Sequence, residues 1–91
     1  MAIIEVVTPA LTDDQQGAIH QLPNHVAAAA SNRMPRAGEI HTAFDFPPEE
    51  LTLESLRALS AEVSRIAGAA RLEYTDDDQA VRQLVDEANA G

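Results

Sequence analysis

Three histidines, His20, His25 and His41, are the side chains of this sequence best suited to proton transfer or metal ligation near neutral pH. His41 and Asp45 fall on one side of the alternating segment EIHTAFDF at 39–46 and are the candidate catalytic residues. Four residues along a strand, at roughly 3.3 Å each, put their Cα atoms about 13 Å apart. An acid–base pair built on His41 must therefore recruit a carboxylate from a neighbouring strand, such as Glu5 or Glu73. His20 and His25 are five residues apart, about 140° around a continuous helix. A zinc pair on one helix face wants a separation of three or four, and Pro23 stands between them, so no metal site is assigned.

Arg33 and Arg36 flank Met34-Pro35 and form the one local positive cluster, a candidate anion-binding pair for a carboxylate, a phosphate or an acidic neighbour. No glycine-rich phosphate cradle accompanies them. Asp76-Asp77-Asp78 has the charge for a divalent cation but lacks the central glycine and remaining ligands of a calcium loop, and reads as an acidic helix start. The serines include no nucleophile-elbow motif. No cofactor is implied.

These residues must be positioned by elements that the apolar pattern outlines. The β-branched run Ile3-Ile4-Glu5-Val6-Val7 predicts a strand over 3–7, ended by Thr8-Pro9. Thr12 and Gln15 stand at capping-box spacing and open a helix over 12–22, with Asp13 and Asp14 in its first turn. Pro23 then either kinks one long helix or starts a second over 23–33, with two helices or a sharp kink favoured. The second strand spans 39–46, its Ile40, Thr42, Phe44 and Phe46 facing inward and His41 and Asp45 facing away. Pro47-Pro48 ends it.

A helix over 52–69 follows, with Thr52 as N-cap and Leu56, Leu59, Val63, Ile66 and Ala70 recurring at spacings of 3, 4, 3 and 4. A short strand over 71–75 and a helix over 76–89 capped by Thr75 complete the chain. The expected order is β-α-α-β-α-β-α in an α+β, or small α/β, fold. About three strands carry three to four helices on one face, and the crossovers can return the chain parallel.

Ninety-one residues make one domain, and at 45% apolar but 3% aromatic the core must be mostly Leu, Val, Ile and Ala. A chain this short has a thin stability margin, which favours self-association or incorporation into a larger particle. The formal charge of −9 repels nucleic acids and anionic membranes and suits a partner with a basic patch. There is no cysteine, which excludes disulfides and thiolate metal sites. No signal peptide or spanning segment is visible, so a cytoplasmic location is the expectation.

The leading functional expectation is a small acidic protein-binding or assembly module: a regulatory, coupling or minor structural subunit, including a phage component. It would contact its partner through the helical seam Leu53, Leu56, Leu59, Val63 and Ile66, or by strand addition at Ile3–Val7. The first alternative is a small oligomeric enzyme or ligand-binding protein using His41, with Asp45 and a loop arginine. The second is an acidic nucleic-acid mimic.

Overall fold

The computed structural model describes residues 2–26 and 38–90. Four strands, β1 (Ala2–Pro9), β2 (His25–Val26), β3 (Glu39–Phe46) and β4 (Arg71–Glu73), form one sheet in the order β2-β3-β1-β4. Every neighbouring pair is antiparallel. Three helices, α1 (Asp13–His20), α2 (Leu53–Ala67) and α3 (Gln79–Ala90), accompany the sheet. The mixed helix-and-sheet class expected from the sequence is therefore present, with a different strand count and order. The crossovers do return the chain parallel, since β1 and β2 run the same way, as do β3 and β4. A strand is inserted between each such pair. This interleaving of two split β-α-β units is the ferredoxin-like arrangement of strands, followed here by an extra C-terminal helix.

Local chemistry explains each boundary. The capping box at Thr12 forms: the Gln15 N–H donates to Thr12 Oγ1 at 3.2 Å and the Thr12 N–H donates to Gln15 Oε1 at 2.9 Å. Thr52 caps α2 through the Ser55 N–H at 3.1 Å, and Gly68 ends that helix in the left-handed region at φ 89°.

Pro23 neither kinks a long helix nor begins one. Helix α1 stops at His20, Asn24 takes φ 73°, and His25–Val26 is strand, so the helix expected over 23–33 is absent where residues are described. Asparagine tolerates the left-handed region. Here its amide nitrogen also donates to the Asp45 carbonyl at 2.8 Å, and its carbonyl accepts from the Asp45 N–H at 2.8 Å. That pairing steers the chain onto β3.

The last helix begins three residues later than expected. Asp78, not Thr75, caps it, accepting from the N–H groups of Ala80 at 3.0 Å and Val81 at 3.3 Å. Asp76 and Asp77 therefore precede the helix. A 3-10 turn at Pro48–Glu50 follows the second strand.

The core lies between one sheet face and the helices. Register puts Ala2 beside Phe46, Ile4 beside Phe44, and Val6 between Thr42 and Leu72. These residues meet Leu56, Leu59 and Val63 of α2, Val81, Val85 and Ala88 of α3, and Ile19 of α1. Of the segment Ile3–Val7 expected to accept an added strand, β3 pairs the whole of one side and β4 pairs the other at Glu5–Val7. Among the described residues no helix is long and apolar enough to cross a membrane.

Candidate functional site

The alternation that turns Ile4, Val6, Thr42 and Phe44 toward the helices turns Glu5, Val7, His41 and Ala43 the other way. Strand β4 adds Arg71 and Glu73 to that second face, opposite Val7 and Glu5 respectively. No described helix packs on it. A polar cluster forms there around one imidazole. His41 Nδ1 lies 3.4 Å from Glu5 Oε1 and 3.9 Å from Glu73 Oε2, and His41 Nε2 lies 3.8 Å from Glu39 Oε1. Arg71 closes the group, its guanidinium 3.0 Å from Glu39 Oε2 and 3.4 Å from Glu73 Oε1. These contacts hold the Arg71 guanidinium above its ordinary pKa, chiefly through the hydrogen bond to Glu39.

The cluster is largely withdrawn from water. The side chains of His41 and Glu5 are 9% and 8% exposed, whereas Arg71 is 48% exposed at the rim. Val7, between Arg71 and His41 in register, is 3% exposed although it is not part of the helix-side core. Among the described residues, the cluster brings together the carboxylates of Glu5, Glu39 and Glu73 and the guanidinium of Arg71 around the imidazole. Glu5 and Glu73 stand directly opposite each other in the β1–β4 ladder, a like-charge placement that destabilises a sheet on its own.

His41 Nε2 is buried and makes no hydrogen bond, while Nδ1 faces Glu5. If Nδ1 carries the proton, Glu5 accepts it and Nε2 presents its lone pair. That is the orientation of a carboxylate-supported general base. Among the described residues no group of three or more His, Asp or Glu side chains could hold a metal ion.

The other sequence candidates are placed elsewhere. Asp45 lies on the same face as His41 but pairs with Ile3, at the other end of the strand, and takes no part in the cluster. Its Oδ1 is buried without a hydrogen bond. Arg33 and Arg36 lie outside the described residues. His20 and His25 come together, their rings stacked at 4.4 Å and 24°, with His25 edge-on to Phe44. Lone pairs in two near-parallel ring planes do not converge on one ion. Burial, and then the charge of His20, lowers the pKa of His25.

In the seam proposed for partner contacts, Leu56 and Val63 are fully enclosed and Leu59 is 8% exposed. Leu53 and Ile66 pack partly buried against the same core. Leu56, Leu59 and Val63 are therefore occupied within the chain, while Leu53 and Ile66 keep part of their surface.

Glu39 and Arg71 were not singled out by sequence reasoning. The alternation Arg71-Leu72-Glu73 was the available signal, because it places both charged residues on the face opposite Leu72.

Two cavities adjoin these features. One of about 370 Å³ lies at the end of the sheet, lined by Val7, Thr8, Pro9, Glu39, Ala70 and Arg71 among others. The second, about 280 Å³, lies between the α1–β2 turn and α2 and is lined mainly by Leu22, Pro23, Phe46, Ala58 and Leu59, with Glu50 and Glu62 also on its wall. Comparison with protein-family models, with curated proteins and with solved structures returned no match for this chain.

Proposed function

We propose that this protein is a small acidic binding module that receives a basic protein segment on the sheet face that carries Glu5, His41 and Glu73. One observation carries the reading. Glu5 and Glu73 face each other across adjacent strands, Glu39 stands nearby, and all three carboxylates approach His41 within 4 Å. Locally conflicting choices of this kind are where functional demands override folding demands. A lysine or arginine from a partner would meet carboxylates there, of which Glu5 and Glu73 are directly opposed. The net charge of −9 adds long-range attraction for the same class of partner. In this reading the chain is a subunit or regulator within a larger assembly, and its interface is the sheet rather than the α2 seam.

The test is a titration of isotope-labelled protein with an arginine- and lysine-rich peptide. Amide shifts centred on Glu5, His41 and Glu73 are expected, with affinity that falls as salt rises. Glu73→Gln should weaken binding without unfolding the chain, because Glu73 sits at the cluster's partly exposed side. Shifts scattered over the helices, or binding unchanged by both salt and Glu73→Gln, would defeat the reading.

The Glu5–His41 contact favours a second reading, in which His41 acts as a general base toward a small substrate. It requires neutral His41 to carry its proton on Nδ1. Nitrogen shifts of the ring that place the proton on Nε2 would end it.

A further inference from the structure

We infer that the cavity between the α1–β2 turn and α2 seats one bulky apolar side chain of a protein partner, with a lysine or arginine beside that side chain meeting Glu50. The inference shares with the preceding reading only the basic character of the partner. The charged cluster occupies one face of the sheet, and this cavity lies on the other. Alternation turns Phe46 toward the helices, and Phe46 is the sheet's part of the wall. Helix α2 contributes Ser55, Ala58, Leu59 and Glu62, which fall on one strip of the helix by their spacing.

Size and lining select an apolar group. The cavity is about 280 Å³. Sites for whole small molecules and cofactors run from about 300 to 1,000 Å³, so this one suits a single group the size of a leucine or phenylalanine side chain. Leu22, Pro23, Phe46, Ala58 and Leu59 supply its apolar surface. Phe46 and Leu59 are also members of the buried core, so the seat is held in place before a partner arrives.

The polar groups on the wall decide what accompanies it. Asn24 is committed to Asp45, its side-chain amide donating to the Asp45 carbonyl and its own carbonyl accepting from the Asp45 N–H, both at 2.8 Å. Ser55 Oγ accepts from Thr52 Oγ1 at 2.9 Å within the α2 cap, and the Glu62 carboxylate accepts from Arg65. Glu50 differs: it is exposed, and among the described residues its carboxylate has neither an ion pair nor a hydrogen bond. An apolar group therefore finds its seat, and a neighbouring cation finds a carboxylate that nothing else holds. The net charge of −9 opposes a second copy of this chain as the occupant and favours a basic partner.

The experiment titrates the intact, isotope-labelled protein with a blocked peptide that carries leucine next to lysine. Amide shifts at Leu22, Asn24, Phe46, Ser55 and Leu59 are expected. Serine in place of the peptide's leucine should weaken binding about tenfold or more, the loss expected when an apolar seat is left unfilled. Glutamine in place of its lysine should weaken binding about twofold to fivefold, as for an exposed ion pair. Glu50→Gln should remove that difference, so that the lysine and glutamine peptides bind alike.

No shift at these residues with millimolar peptide overturns the inference. So does a serine peptide that binds as tightly as the leucine one, or a preference for lysine that survives Glu50→Gln. The same shifts produced by raising the protein concentration without peptide would make a second copy the occupant, and overturn it equally. Peptide shifts on this wall with none at Glu5, His41 and Glu73 defeat only the earlier reading. The reverse pattern defeats only this one.

Discussion

Asn89 holds the strand that carries half of the charged cluster. Its side-chain amide donates to the Leu72 carbonyl and accepts from the Leu72 N–H, both at 2.9 Å. Leu72 is the middle residue of β4, an edge strand only three residues long. Its outward N–H and C=O are therefore completed by a side chain from α3 in place of another strand. Asn89→Ala removes both bonds. At about 0.5–1.5 kcal/mol net for each, the loss is roughly 1–3 kcal/mol. Alanine's better helix propensity returns up to about 0.5 kcal/mol, and water can reach this exposed position, so about 1.5 kcal/mol is expected. For a domain of this size that lowers Tm by roughly 6–12 °C. Urea denaturation measures the free energy, and hydrogen exchange at the Leu72 amide reports the local effect. Because β4 also places Arg71 and Glu73, the His41 ring resonances should shift in the same variant. A change below about 0.5 kcal/mol, the range of ordinary surface substitutions, would refute the argument. So would unaltered exchange at Leu72.

Leu56→Ala and Val63→Ala remove fully enclosed side chains and should each destabilise by about 2–4 kcal/mol in denaturant titrations. Gly17→Ala, in the interior of α1 with nothing within 4 Å of a new Cβ, should stabilise by about 0.5–1 kcal/mol. Gly68→Ala, at φ 89°, should cost about 1–2 kcal/mol despite equal space, and the two melting curves should move in opposite directions. The folded chain prefers His25 neutral, so the unfolded chain binds more protons once pH falls through the usual histidine value of about 6.5. The stability of the unaltered protein relative to His25→Phe should therefore be fully present above that pH and decline as pH falls toward 5; a difference that stays flat or grows would contradict the sign.

The parts of the fold legible in the sequence are those set by neighbours a few residues apart. The strand at 39–46 has the expected bounds, and its inward row contains buried Thr42, Phe44 and Phe46. The Thr12–Gln15 box and the Thr52 cap form as the spacing implies. The failures have long-range causes. His25–Val26 is too short to show a period, and what makes it a strand is Asn24 meeting Asp45, 21 positions away. Thr75 and Asp78 are both sound caps by composition, so the choice between them was not local. Insertion of β1 between β3 and β4 leaves no trace in the order of elements, which is why parallel returns were legible and antiparallel neighbours were not.

The charged cluster depends on that same insertion. Along the sequence, Glu5, His41 and Glu73 are three isolated polar residues on three strands, and each alone suits a solvated sheet face. Register makes them a unit: β1 aligned with β4 sets Glu5 against Glu73, and β1 aligned with β3 brings His41 diagonally over both. If solvation were their only role, Glu5 would gain from being exposed, yet its residue is 6% exposed and lies beside an opposed carboxylate. Replacing Glu5 with a residue of strand propensity and no charge, such as Glu5→Thr, removes the opposed pair and leaves Arg71 on Glu39 and Glu73. If the cluster exists for binding, Glu5→Thr should fold at least as stably as the unaltered chain while losing affinity for basic peptides. If instead Glu5 holds the sheet together through His41, the same variant should melt earlier and keep whatever binding its surface charge provides. Stability and affinity thus move in opposite senses under the two accounts, and one denaturation curve with one titration separates them.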